Sequence, residues 1–341
     1  MKSNDASNPL VPLVRYDGAD VRTRLRDLLV DWSDDLAAVG RGLPQELALR
    51  GTARSVRETV EERLARPIHV VVVGEFKRGK STLVNALLGE EVVTMDVTPE
   101  TVAVTELHYG DAHKGRLHLK DGGLVDLTPE DLPSDRLRPL LDNLPAPVDH
   151  IVVTAPAKML EDVVFVDTPG LADALWRFDR QVQEWLPRAD VVLSVVSAIS
   201  PLSATERAFL TSALRPQEFS KVNFVVNMVD RLPSTRDTER IMKRVRDILA
   251  TDFPGAEVLG VSALDELARA TGDPAPCPAR SSELAARFSQ LRSVVDRQVL
   301  VDQDVIRTER ALTLGRQGLE RIAERLRASL EALGSDRAEL G

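Results

Sequence analysis

Apolar residues form short unbroken runs through the middle of the chain and spaced stripes at its ends, and the two patterns predict different structures. Val70–Val73, Val163–Val166, Val222–Val226 and Val258–Leu259 are compact runs of the kind buried on both faces of a parallel sheet. Helical segments alternate with them, which predicts an α/β core with a mostly parallel sheet and helices on both faces. Near the start, Val21, Leu25, Leu28, Trp32, Leu36 and Val39 recur at spacings of three and four. After a break at Gly40–Pro44, Ala53, Val56, Val60 and Leu64 do the same, predicting a helical hairpin over residues 1–66. At the far end Leu312, Leu319, Ile322, Leu326, Leu330 and Leu333 form a stripe with Glu and Arg between them. Pro274, Pro276 and Pro278 break the chain before it. The expected organisation is a hairpin at 1–66, a core at 67–272, a linker at 273–281 and a helical segment at 282–341. Each stripe needs a partner, either the other stripe or, for the tail, an independent coiled coil. Between two core runs, Gly115–Leu127 reads as a hairpin turning at Asp121-Gly122-Gly123.

The first run leads into the most informative stretch of the chain. Gly74-Glu75-Phe76-Lys77-Arg78-Gly79-Lys80-Ser81 fits G-x-x-x-x-G-K-[ST], with a strand before it and a helix from about Ser81 to Leu88 after it. Glycines let backbone N–H groups curl around phosphate oxygens, the lysine reaches the β- and γ-phosphates, and the hydroxyl ligates magnesium. The helix that follows aims its positive end at the same anion. Residues Gly74 through Thr82 therefore form a candidate triphosphate site.

Three downstream segments select the nucleotide. Val163–Val166 ends in Asp167-Thr168-Pro169-Gly170, an acid suited to holding magnesium through water and a glycine free to offer its N–H to a γ-phosphate. Val222–Val226 ends in Asn227-Met228-Val229-Asp230. A carboxylate at Asp230 can accept from both the ring N–H and the exocyclic amine of guanine, whereas adenine presents a repelling acceptor. Ser262-Ala263 follows the last run and offers a backbone contact to the guanine carbonyl oxygen. Taken singly, each segment is equally a buried strand closed by turn residues. Their order along the chain, each at a strand end, points to GTP.

These residues carry a resemblance to the bacterial dynamin-like large GTPases. It rests on Gly74–Gly89, on Val97–Thr105 with Thr98 and Thr101, and on Leu186–Leu193 followed by Pro201-Leu202-Ser203, covering roughly residues 65 to 270. The resemblance implies a dynamin-type G domain with GTP or GDP and Mg2+ as ligands, and terminal helices packed as a bundle beside it. It also implies a homo- or hetero-dimer through the G domain, and membrane remodelling or maintenance through peripheral contact. Thr98 or Thr101 would be the switch threonine that binds magnesium and closes over the γ-phosphate; both fit the pattern, and Thr98 is preferred. In the related guanylate-binding family the position of Lys77 carries a catalytic arginine, so Lys77 is either an internal cationic finger or a solvated lysine. Two departures stand out. Met228 replaces the usual lysine whose stem packs on the base, and methionine offers a comparable apolar surface. Leu171 stands where small GTPases place the glutamine that orients water.

Composition narrows the reading further. At 341 residues the chain exceeds one domain, and 43% hydrophobic residues suffice for a full core. A net charge of −9 argues against nucleic-acid binding and against general attraction to anionic lipid. Cys277 is the single cysteine, which excludes an intramolecular disulfide and fits a reducing, cytoplasmic compartment. No run reaches about 18 apolar residues, so no membrane span is expected. The histidines lack metal-ligand spacing. The expected activity is Mg-dependent GTP hydrolysis coupled to assembly, and the alternative is a slow or non-hydrolytic scaffold that assembles with a partner GTPase.

Overall fold

The structure is a computed structural model that describes residues 49–93, 103–169 and 184–339, with isolated helical positions at 23, 24, 27, 28, 30 and 31. The chain divides into two compact units, Arg66–Arg310 and a second made of Met1–Ala65 with Ala311–Gly341.

Among the described residues, the larger unit is built on a nine-stranded sheet. Its strands are β1 (Ile68–Val73), β2 (Val104–Tyr109), β3 (Lys114–Leu119), β4 (Leu124–Leu127), β5 (Val148–Ala155), β6 (Val163–Asp167), β7 (Val191–Ser197), β8 (Val222–Asn227) and β9 (Glu257–Gly260). They lie in the order β4-β3-β5-β2-β6-β1-β7-β8-β9. From β6 to β9 every neighbouring pair is parallel. β2 turns the sheet over, running antiparallel to β6 and parallel to β5. The β3–β4 hairpin completes that edge, turning at Gly122 with φ 88°.

The valine runs explain the central position of β1, β6, β7 and β8, whose residues are buried along almost their whole length. Each such valine removed from water contributes roughly 1.5–3 kcal/mol before chain entropy is subtracted. One apolar cluster lies on each face. Leu83, Leu87, Leu107, Phe165 and Phe288 belong to the first, and Trp185, Leu202, Phe209, Phe224 and Met242 to the second. Because the strands are parallel, the C-terminal ends of β1, β6, β8 and the segment after β9 come to one edge. That edge is where Gly74, Asp167, Asn227 and Ser262 are found.

The helices of this unit are α2 (Lys80–Leu88), α3 (Ser134–Leu141), α4 (Ala204–Phe209), α5 (Thr235–Leu249), α6 (Ala263–Thr271), α7 (Ser281–Asp296) and the first turns of α8 (Gln303–Glu339). The expected break at 273–281 does not end it. Leu284, Phe288, Leu291 and Val295 recur at helical spacing on α7 and are buried in the two clusters, so the compact boundary falls at 310/311 instead. The stripe that begins at Leu312 conceals this second one, although α7 packs on the sheet and belongs to the larger unit.

In the smaller unit, α1 (Leu49–Ala65) buries Val60 and Leu64 together with Ala311. Val21, Leu25, Trp32, Leu36 and Val39 lie outside the described residues. No helix among the described residues is long and apolar enough to cross a membrane.

Candidate nucleotide site

β1 ends at Gly74, whose φ is 152°. A Cβ there would stand 2.3 Å from the carbonyl oxygen of Val195 on β7, so no side chain fits. The loop then turns through Lys77 (φ 58°) and Gly79 (φ 80°) before α2 begins at Lys80. A Cβ on Gly79 would lie 2.5 Å from Asn227 Nδ2, and only glycine lets the two segments touch. The amino end of α2 thus faces the concavity of the loop with its first N–H groups unpaired within the helix.

Lys80 is only 7% exposed, and its Nζ donates to the Glu75 carbonyl at 3.3 Å. Ser81 Oγ donates to Asp167 Oδ2 at 2.6 Å. Burial opposes both charges of this pair. It pushes the Lys80 ammonium down to about 8, against the attraction of Asp167. It pushes the Asp167 carboxyl up, against Lys80 and the Ser81 hydroxyl. Asp167 Oδ1 is buried without a hydrogen-bond partner. A buried carboxylate oxygen left unsatisfied, beside a hydroxyl whose lone pairs are free, fits a hard divalent cation with oxygen ligands. Thr168 closes the strand end by donating from its N–H and Oγ1 to Val72 O, at 3.3 and 2.7 Å. Thr98, Thr101, Gly170 and Leu171 lie outside the described residues.

The candidate base end is joined to the loop by Asn227. Its Nδ2 donates to the Arg78 carbonyl at 2.9 Å, while its Oδ1 accepts from the Ala263 N–H at 3.0 Å. The side chain expected to meet the nucleotide therefore ties the phosphate loop to the Ser262-Ala263 turn, and the Ala263 amide is engaged by it. Ser262 caps α6, accepting from the Asp265 N–H at 3.2 Å. Met228, in the left-handed region at φ 66°, turns the chain into the Val229–Arg231 turn that carries a half-buried Asp230.

The two cations inside the loop differ. Lys77 is exposed, with Nζ 5.3 Å from the Phe76 ring centroid. Arg78, grouped in the sequence reading with the nucleotide-contacting residues, turns its guanidinium to Glu75 and, at 2.9 Å, to Glu206 on α4. Thr82 follows Ser81 on the first turn of α2, half-buried.

Several supporting residues escaped the sequence reading. Asn85, fully buried on α2, accepts from the N–H groups of Val92 and Val93 and donates to Val93 O, at 2.8–3.0 Å. It fixes the backbone that leads out of α2. Arg280 lies in the expected linker yet donates to the carbonyls of Val229 and Leu232, at 3.0 and 2.9 Å, clamping both ends of the Asp230 turn. Glu283 holds Arg280 in place, and that guanidinium is the main reason its carboxyl drops to about 2. Only chain reversal brings Arg280 and Glu283 to the site, so no local signal marks those two.

Residues 70–229 match the Dynamin family. This stretch, a little under half of the chain, is similar to the dynamin family. The chain is 32% identical over 185 residues to the probable transmembrane GTPase FZO-like of Arabidopsis thaliana chloroplasts, covering 54% of this chain and 18% of that one. It is 30% identical over 178 residues to the bacterial dynamin-like protein of Nostoc punctiforme, covering 48% and 25%. The uncharacterized protein in the xynA 3' region of Caldicellulosiruptor sp. is 27% identical over 229 residues, covering 66% and 54%. The match thus spans about half or less of the length of each of these relatives. Among solved structures, a chain of an oligomerised bacterial dynamin pair superimposes with a TM-score of 0.57 at 16% identity, covering 93% of this chain and 49% of that one. At that identity the likeness is one of fold, and it extends beyond the dynamin-family region to most of the chain.

Proposed function

We propose that the chain binds Mg-GTP on the loop Gly74–Thr82 and hydrolyses it to GDP by attack of water on the γ-phosphate. The observation that carries this reading is the grouping of buried Lys80 and Asp167 with half-buried Ser81, with one Asp167 oxygen unsatisfied, at the amino end of α2. The Lys80 ammonium, now opposed mainly by burial, would gain its counter-charge from the β- and γ-phosphates. Backbone N–H groups of the loop and of α2 would hold the same oxygens. Ser81 and a switch threonine, Thr98 or Thr101, would ligate magnesium directly, with Asp167 acting through water and Gly170 offering its N–H to the γ-phosphate. Magnesium in such a site neutralises charge on the phosphoryl oxygens. Asp230 would accept from guanine, and the Ser262-Ala263 turn would contribute backbone at the carbonyl edge. Lys77 is free to reach toward the β–γ bridging oxygen, where charge accumulates as the bond breaks.

Assembly is the second part of the reading. The structural relative is an oligomerised pair described as sensing and tethering membranes, and a plant relative is described as a probable transmembrane GTPase. These descriptions support assembly and work at a membrane; in this reading the assembly is a dimer through the G domain and the membrane contact is peripheral. GTP turnover at several protein concentrations tests the enzyme: the rate per molecule should rise with concentration. Absence of turnover at every concentration would favour a nucleotide-gated scaffold. Co-sedimentation with liposomes, with and without a non-hydrolysable GTP analogue, tests the membrane step.

A further inference from the structure

We propose that Arg78 and Glu206 are positioning residues that shape the phosphate loop for nucleotide by closing a hydrogen-bonded ring between the loop and the start of α4. The inference rests on the reading of Gly74–Thr82 as the nucleotide site. The ring has four members. Ser203 Oγ donates to Glu75 Oε1 at 2.5 Å, and Glu75 Oε2 accepts from Arg78 Nη2. Arg78 Nε donates to Glu206 Oε1 at 2.9 Å. Glu206 Oε2 accepts from the Ser203 N–H at 2.8 Å, and the Glu206 N–H returns to Ser203 Oγ at 3.0 Å, which closes the circuit as a capping box.

Its location gives the ring a function beyond capping. Glu75 and Arg78 bracket Phe76 and Lys77, the middle of the loop, where Lys77 holds the left-handed conformation that non-glycine residues adopt only at a cost. The Glu75 carbonyl also receives the Lys80 ammonium, so the residue pinned by Ser203 is the one that orients the phosphate-binding lysine. The anchor itself is rigid. Glu206 is 3% exposed, and the preceding Leu202 is buried at φ 56°. Charge-assisted bonds sheltered in this way gain more than exposed ones, and losing one partner leaves the other charge uncompensated. Ser203 and Glu206 touch no nucleotide in the proposed mode, so any effect they have on affinity must pass through the loop.

The test is a double-mutant cycle on nucleotide affinity in the full chain, read by fluorescence of N-methylanthraniloyl-GDP in excess magnesium, with thermal melting of the nucleotide-free protein alongside. Glu206→Ala and Arg78→Ala should each weaken GDP binding about tenfold, and the double variant should be no weaker than either single, as for strongly coupled neighbours. Glu206→Gln keeps an acceptor for the cap and guards against a variant that fails to fold; it should lie between wild type and Glu206→Ala. Three results would overturn the proposal: additive losses, a fall in melting temperature with unchanged GDP affinity, or tighter binding in Glu206→Gln. The last would mean that the ring withholds Arg78 from the phosphates. Failure of the underlying reading looks different, because wild type itself would then bind no GDP or Lys80→Ala would bind it as well as wild type does.

Discussion

The phosphate end and the base end of the site are built in opposite ways. Among the described residues, nine consecutive ones, Gly74–Thr82, make up most of the proposed phosphate end, and Asp167 joins them from a neighbouring strand. The base end has no such contiguity. Asp230 sits on a short turn after β8, the Ser262-Ala263 turn follows β9, and Arg280 from well downstream clamps the first of these turns. What unites the ends is Asn227, which bonds to the loop on one side and to Ala263 on the other. A site made from one segment feels distant change only through the contacts that brace that segment, such as Glu206 on Arg78, whereas one stitched from several fails wherever a stitch is cut.

The largest expected effect lies at the phosphate end. Lys80→Ala removes the buried cation, and truncating one member of a desolvated charged contact costs about 2–5 kcal/mol or more. GTP affinity measured by calorimetry should fall by two to three orders of magnitude, roughly, by that arithmetic. Wild-type affinity in a folded variant would rule the loop out as the site.

Cutting the stitch comes next. Asn227→Ala leaves the Arg78 carbonyl and the Ala263 N–H without their partner at roughly 1–3 kcal/mol for each buried group, so both stability and nucleotide affinity should drop. Loss of stability alone would show that the two ends do not depend on one another.

A change confined to the base end should alter choice more than strength. Asp230→Asn can donate where guanine carries its amine and xanthine a carbonyl, shifting preference from GTP toward xanthosine triphosphate by about tenfold or more, in line with 1–3 kcal/mol for a recognition hydrogen bond. Competition binding reads the shift, and equal competition by ATP in wild type would refute the guanine assignment outright.

Lys77→Ala should be milder, lowering turnover about tenfold with GTP affinity within a few-fold, because the contact forms mainly in the transition state and lysine lacks the planar fork of arginine. Parallel losses in rate and affinity would assign Lys77 to ground-state phosphate binding.

The smallest effect belongs to the far end of β1 and serves as a control that leaves both ends of the site alike. Burial, with Arg66 nearby, lowers the His69 imidazole from its ordinary 6.5 to about 4. The unfolded chain therefore takes up this proton first as pH falls. Stability is retained above about pH 6.5, is lost progressively toward pH 4, and by pH 5.5 should be lower by about 1 kcal/mol. Denaturant melts of wild type and His69→Gln, the latter flatter across this window, measure it.

Sequence alone marks the candidate chemistry that depends on contiguity. The Gly74–Thr82 loop needs glycine at set positions for backbone reasons and lysine and serine at set positions for charge and metal reasons, so composition and spacing identify it. The same holds for the valine runs, whose short, β-branched and nearly continuous apolar pattern suits strands of a sheet covered on both faces. Folding decided what depends on meetings between distant segments. No periodicity announces that Arg78 faces Glu206, that Asn227 serves the loop as well as the base end, or that Arg280 reaches back to the Asp230 turn. The boundary of the larger unit was also settled by packing, since α7 carries its own apolar stripe and the sheet, not the later helix, covers it. Covalent order places residues only a few positions apart. Contacts across 128, 149 or 51 positions, as in these three pairs, exist because the hydrophobic core forces parallel strand ends to a common edge.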